Sequence, residues 1–111
     1  MRSVTVRLED LRNTILNLGF AGENEHRQIR IDSKKFYDEY PHAAASMTVS
    51  PPGSEPYPAV IERDGDFVIW TITDSDVIRE GDGEIQLTFT QEPHVGKTYI
   101  GRTRTGRSLV P

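Results

Sequence analysis

Apolar and polar residues alternate along most of this chain with a period of two, the signature of β-strands that bury one face. The clearest case is Ile85, Leu87 and Phe89, set against Gln86, Thr88 and Thr90. Val68, Trp70 and Ile72 form a second set, and Ala45, Met47 and Val49 a third, which Pro51-Pro52-Gly53 stops. Ile29 and Ile31 alternate with Gln28 and Arg30, predicting a short strand with one wet face. Tyr57, Ala59 and Ile61 make another alternating set, and a last strand is predicted from Val95 to Arg102.

Between these runs lie turn signals. Asp64-Gly65-Asp66 sits between apolar runs, and Asp-Gly in that setting is a strong hairpin signal. Gly81-Asp82-Gly83 and Ala21-Gly22-Glu23-Asn24 are expected to be turns. Asp32 or Ser33 can cap a short helix from Lys34 to Tyr40, with Phe36 and Tyr40 on one side at i,i+4 and Pro41 ending it. Thr73-Asp74-Ser75-Asp76 predicts the cap of a single helical turn through Val77 and Ile78. The start reads two ways. Val4, Val6 and Leu8 suit a strand, whereas Val4, Leu8, Leu11 and Ile15 suit a helix face; Leu16, Leu18 and Phe20 then favour a strand.

The total is about seven short strands and one or two short helical turns. This predicts a mainly β, single-domain antiparallel β-sandwich or small barrel, with a three-stranded sheet and packed helices as the competing architecture. Residues 1–20 are read as an N-terminal extension or first strand and a possible oligomer contact, residues 21–109 as the sandwich, and 110–111 as a tail. The 111 residues are enough for one domain with its own core.

Composition narrows the chemistry. There is no cysteine, so disulfide and thiolate chemistry are excluded, and His26, His42 and His94 have no metal-ligand spacing. Thirteen basic and 17 acidic residues give a formal charge of -4, which argues against a nucleic-acid binder. No apolar run has membrane-spanning length, and Met1-Arg2-Ser3-Val4-Thr5 lacks the apolar block of a signal peptide, so neither membrane insertion nor signal-directed export is expected.

The acidic stretch Asp74, Asp76, Glu80, Asp82 and Glu84 fails as a calcium loop, because Ile85 stands where a closing carboxylate would be. It reads as helix capping and a solvated turn. Gly96-Lys97-Thr98 resembles the end of a phosphate loop, but Gln91 stands where that loop needs glycine. No Gly-x-Ser-x-Gly elbow is present. No catalytic residue, metal or cofactor is therefore expected. Lys97, Arg102, Arg104 and Arg107 form a basic C-terminal stretch, read as a solvated strand edge. Trp70 is expected in the core, with an exposed sugar platform as the alternative, and Tyr57, between two prolines, reads as a surface contact.

Ala21-Gly22-Glu23-Asn24-Glu25 through Ile31-Asp32, then Phe36 through Pro41, Pro51-Pro52-Gly53 with Tyr57-Pro58, Trp70 through Asp76, and Gly83 through Phe89 occur in an order that resembles small phage and prophage structural proteins. The resemblance covers residues 21–109. It implies a non-enzymatic β-sandwich module of a tail, baseplate or head-fibre protein that contacts other phage structural proteins. It also implies a homo-oligomer, with a trimer as the leading form, located in the virion or in the cytoplasm of a bacterial host carrying a prophage. A carbohydrate-binding module and a bacterial adaptor domain without a virion role are the alternatives. The sequence departs from the pattern in Met1 to Asn17, which is longer and more charged than a short apolar strand. Candidate interface residues are Val4, Val6, Leu8 and Leu11, Tyr57, and Tyr99 with Ile100.

Overall fold

The computed structural model of the chain describes residues 2–20, 27–91 and 95–106. The turn expected at 21–24, His26, His94, Arg107 and the tail at 110–111 lie outside them. The strands are β1 (Arg2–Arg7), β2 (Ile15–Phe20), β3 (Arg27–Asp32), β4 (Ala44–Ser50), β5 (Tyr57–Pro58), β6 (Ile61–Asp64), β7 (Phe67–Thr71), β8 (Gly81–Gln91) and β9 (Val95–Gly106). They form a four-stranded sheet in the order β1-β3-β7-β6 and a five-stranded sheet in the order β2-β9-β8-β4-β5. The protein is mainly β and built of two sheets, as the alternation predicts.

Alternation sets the core. In β8, Ile85, Leu87 and Phe89 are buried while Gln86 and Thr90 are exposed. The β4–β8 register places Met47 opposite Leu87 and Val49 opposite Ile85, so both strands offer their apolar faces together. From the other sheet, Ile29 lies opposite Trp70 and Ile31 opposite Val68. Trp70 is 1% exposed and belongs to this core.

Three features differ from the pattern. First, the sheets are mixed rather than antiparallel throughout, because β1 pairs with β3 and β2 with β9 in parallel. Parallel neighbours need a crossover connection. Here the chain leaves β1 through a 3₁₀ segment, Leu8–Asn13, joins the second sheet as β2, and returns to the first sheet as β3. Residues 2–20 thus supply one outer strand to each sheet. The strand-or-helix ambiguity at the start is resolved the same way, with a strand at Val4 and Val6 and a 3₁₀ segment carrying Leu8 and Leu11.

Second, the alternating set Tyr57, Ala59 and Ile61 is divided between β5 and β6, which lie in different sheets. Third, Gly81-Asp82-Gly83 is part of β8 and not a turn. The glycines there serve close approach. A Cβ on Gly83 would lie 2.5 Å from the Ser50 carbonyl oxygen and 2.9 Å from Thr103 Oγ1.

The helix α1 (Lys34–Glu39) starts with the Lys34 N–H donating to Asp32 Oδ1 at 3.1 Å, so Asp32 supplies the side-chain partner. Ser33 turns its hydroxyl back to the Ile31 carbonyl. Phe36 packs on Phe89 with ring centroids 4.4 Å apart and on Tyr40 at 5.0 Å, which fastens α1 to the five-stranded sheet.

Candidate contact surfaces

Tyr57 is not a free surface aromatic. Its hydroxyl donates to Asp76 Oδ1. Asp76 is buried, and its Oδ2 accepts the Thr73 N–H at 2.8 Å and the Thr73 hydroxyl at 3.1 Å. Together Thr73 and Asp76 form the capping box of the 3₁₀ turn Asp74–Val77, as the Thr-Asp-Ser-Asp run predicts. A guanidinium N–H of Arg79 donates to the Gly53 carbonyl at 3.4 Å. These contacts tie the proline-rich 51–57 segment to a turn about twenty residues later. The acidic stretch therefore has a structural use: Asp76 caps, and Asp82 accepts from Arg104 at 3.0 Å. Among the described residues no group of three or more His, Asp or Glu side chains is placed to hold a metal ion.

Burial, and then the hydrogen bond to Asp76, raise the Tyr57 pKa well above the usual tyrosine value of about 10. Burial also raises Tyr37, against the opposing charge of Arg63. A raised folded-state pKa means the folded protein holds these protons more tightly than the unfolded chain. The associated stability is present in full below the unfolded value and is lost as pH climbs above it. Unfolding by urea should therefore need less denaturant as pH rises beyond about 10. Tyr57→Phe should flatten that decline and cost about 1–3 kcal/mol at neutral pH, since Asp76 loses a buried donor. An unchanged alkaline profile in the variant would contradict this role for Tyr57.

The apolar N-terminal candidates divide by burial. Val6, Leu8 and Leu11 lie in the core of this chain, which corrects their reading as contact residues. Alternation in β1 points Val6 inward, and the 3₁₀ segment lays Leu11 against Gly101 of β9, where a Cβ would sit 3.0 Å from the leucine. Val4, at the outer end of the same strand face, is 41% exposed. Ile100 stands on the outer face of the five-stranded sheet and is exposed, whereas Tyr99 points inward and is half-buried beside Phe89, at 5.9 Å, and Phe36, at 6.5 Å.

The 3₁₀ segment, α1 and the start of β9 enclose a groove of about 560 Å³ lined by Leu8, Glu9, Phe36, Tyr40, Lys97 and Tyr99. A hollow of about 420 Å³ beside it reaches Arg12, Thr98 and Ile100. The Lys97 ammonium lies 5.3 Å from the centre of the Tyr99 ring. The groove offers carboxylates, lysines and phenols but no serine or histidine. Its chemistry is packing and ion pairing. Of the seven candidate interface residues it and its neighbouring hollow gather three, Leu8, Tyr99 and Ile100. Tyr57 and Val4 are not among their lining residues.

Two arginines that the sequence reading passed over organise the four-stranded sheet. Arg63 lays its guanidinium 3.6 Å above the Tyr37 ring and donates to the Pro41 carbonyl at 2.6 Å and the Gly65 carbonyl at 2.8 Å. It closes the β6 edge over the end of α1. Arg30 lies 4.7 Å from the centre of Phe67 and 3.8 Å from the Asp64 carboxylate. The only signal for either was an arginine inside an otherwise apolar or alternating run, which charge counting reads as a solvated face.

No family model matches the chain, and no curated protein matches it. Among solved structures, the N-terminal domain of phage TP901-1 ORF48 superposes with a TM-score of 0.58 at 11% sequence identity. The match covers 95% of this chain and 97% of that domain. The chain thus shares the fold of that phage protein domain at a low sequence identity.

Proposed function

We propose that this chain is a non-enzymatic structural module of a phage or prophage particle, mediating protein–protein contact in a tail, baseplate or head-fibre assembly, and that it self-associates, with a trimer as the expected form. The observation that carries this reading is the fold shared end to end with a phage protein domain. The order of sequence motifs supports it independently. The use of the most strongly shifted side chain, Tyr57, is in keeping with it, since that residue fastens a loop and does not face a reaction site. Burial of Trp70 removes the strongest aromatic from the carbohydrate-binding alternative, leaving Tyr40 and Tyr99 in the groove as its only described support.

Particles purified from a host that carries the gene should contain the chain in a fixed ratio to the other particle proteins, measured by quantitative mass spectrometry. A chain confined to the soluble fraction of that host while particles assemble normally would sink the proposal.

A further inference from the structure

The chain has two Asp-Gly bonds, Asp64-Gly65 and Asp82-Gly83. Their carboxylates are about equally open to solvent, with side chains 68% and 72% exposed. Their backbones differ. Asp64 ends β6 and pairs with Phe67 across a two-residue turn, Gly65-Asp66. Gly65 has φ +60° and Asp66 has no positive φ, the pattern of a type II′ turn with glycine first. A Cβ on Gly65 would meet nothing within 4 Å beyond its chain neighbours. Among the described residues its N–H enters no turn hydrogen bond. The Asp64 carboxylate accepts no hydrogen bond among them either, and Arg30 approaches it only to 3.8 Å.

Asp82-Gly83 is held at each of these points. Asp82 Oδ1 accepts from Arg104 Nε at 3.0 Å. Gly83 lies within the ladder opposite Thr103 of β9, and a Cβ there would fall 2.5 Å from the Ser50 carbonyl oxygen. β8 is flanked by β9 and β4, whereas β6 is an outer strand held by β7. Releasing Asp64 breaks strand pairing on one side. Releasing Asp82 disturbs the centre of a sheet, which costs far more.

We infer that Asp64-Gly65 is a site of spontaneous backbone modification, at which Asp64 converts to isoaspartate while Asp82 does not. The Gly65 nitrogen, with no Cβ to shield it, attacks Asp64 Cγ in the neutral carboxyl form. The Cγ–N bond forms, and the amide proton leaves with the carboxyl hydroxyl as water, giving a succinimide ring. Water then adds to the ring. Opening at the main-chain carbonyl carbon of Asp64 routes the backbone through its side chain, lengthened by a methylene; opening at Cγ restores aspartate. The lengthened link moves the Gly65 carbonyl, which accepts from Arg63 Nε at 2.8 Å. Arg63 also holds the Pro41 carbonyl and stacks on Tyr37, so the change loosens the end of α1.

Incubating the full folded chain at neutral pH for weeks tests this. Electron-transfer fragmentation of its peptides distinguishes isoaspartate from aspartate at each position. The folded chain should carry about tenfold or more isoaspartate at 64 than at 82, because only the turn opens locally. In urea the two bonds should react alike, since the sheets no longer separate them. Asp64→Glu, whose ring would be six-membered and closes far more slowly, should abolish the signal at 64. The aged wild type should melt at a lower temperature than the fresh protein, and the aged Asp64→Glu variant should not. Equal accumulation at 64 and 82 in the folded chain, or accumulation at 64 in urea alone, would overturn the site. An aged wild type carrying isoaspartate at 64 with an unchanged midpoint would overturn the loosening through Arg63.

Discussion

Trp70→Ala is expected to destabilise the protein by about 3–5 kcal/mol, the largest single-residue loss in the chain. Trp70 is 1% exposed and paired across strands with Ile29 on one side and Ile61 on the other, so it joins three of the four strands of its sheet. Removing the indole leaves a cavity that flanking β-strands close poorly, because their hydrogen-bond ladders fix their spacing. A domain of this size is commonly stable by about 5–15 kcal/mol, so the variant would lose between about a fifth of the total and nearly all of it. Urea unfolding followed by circular dichroism measures it, since the variant has no tryptophan left for fluorescence. The midpoint should fall with the slope unchanged. A loss under about 1 kcal/mol would mean that the side chain is not packed as described.

Leu11→Ala is expected to cost about 2–5 kcal/mol, although the residue sits in a segment whose sequence suggests an exposed contact. Leu11 has no exposed surface and lies against Gly101, where the missing side chain lets the 3₁₀ segment rest directly on β9. The reciprocal change, Gly101→Ala, should cost about 1–3 kcal/mol by forcing a Cβ toward Leu11 and Ile85. The same urea titration reads both. A Leu11→Ala protein of wild-type stability but impaired self-association would return Leu11 to the contact surface and remove it from the core.

The strands were legible because each buries one face and leaves the other wet, which prints a period of two into β4, β7 and β8. The capping box of Thr73 and Asp76 was legible for a similar reason, since both partners lie within one turn. What depended on distant pairing was not. Nothing in the composition of β1 or β2 distinguishes a parallel from an antiparallel neighbour. Gly83 was read as a turn residue because a Gly-Asp-Gly triplet has that propensity, whereas its actual requirement comes from the Ser50 carbonyl on another strand. Leu8 and Leu11 look alike in sequence whether they face their own core or a partner. Tyr57 could be recognised as unusual from its flanking prolines, but its commitment to Asp76 is a tertiary fact. The groove and its neighbouring hollow were half legible: Leu8, Tyr99 and Ile100 were marked, while Phe36, Tyr40 and Arg12 join them only once the sheets have placed them.

The parallel pairing of β2 with β9 has a mechanical consequence. These strands lie toward opposite ends of the chain yet run in the same direction, joined at five paired positions. A tension that draws the chain before β2 away from the chain after β9 therefore pulls along the row of hydrogen bonds. The bonds are loaded together in shear, and must yield as a group, where an antiparallel pair gripped at adjacent ends would unzip one bond at a time. A module that transmits pull between neighbours would gain resistance to rupture from the direction in which its first strands enter the sheets.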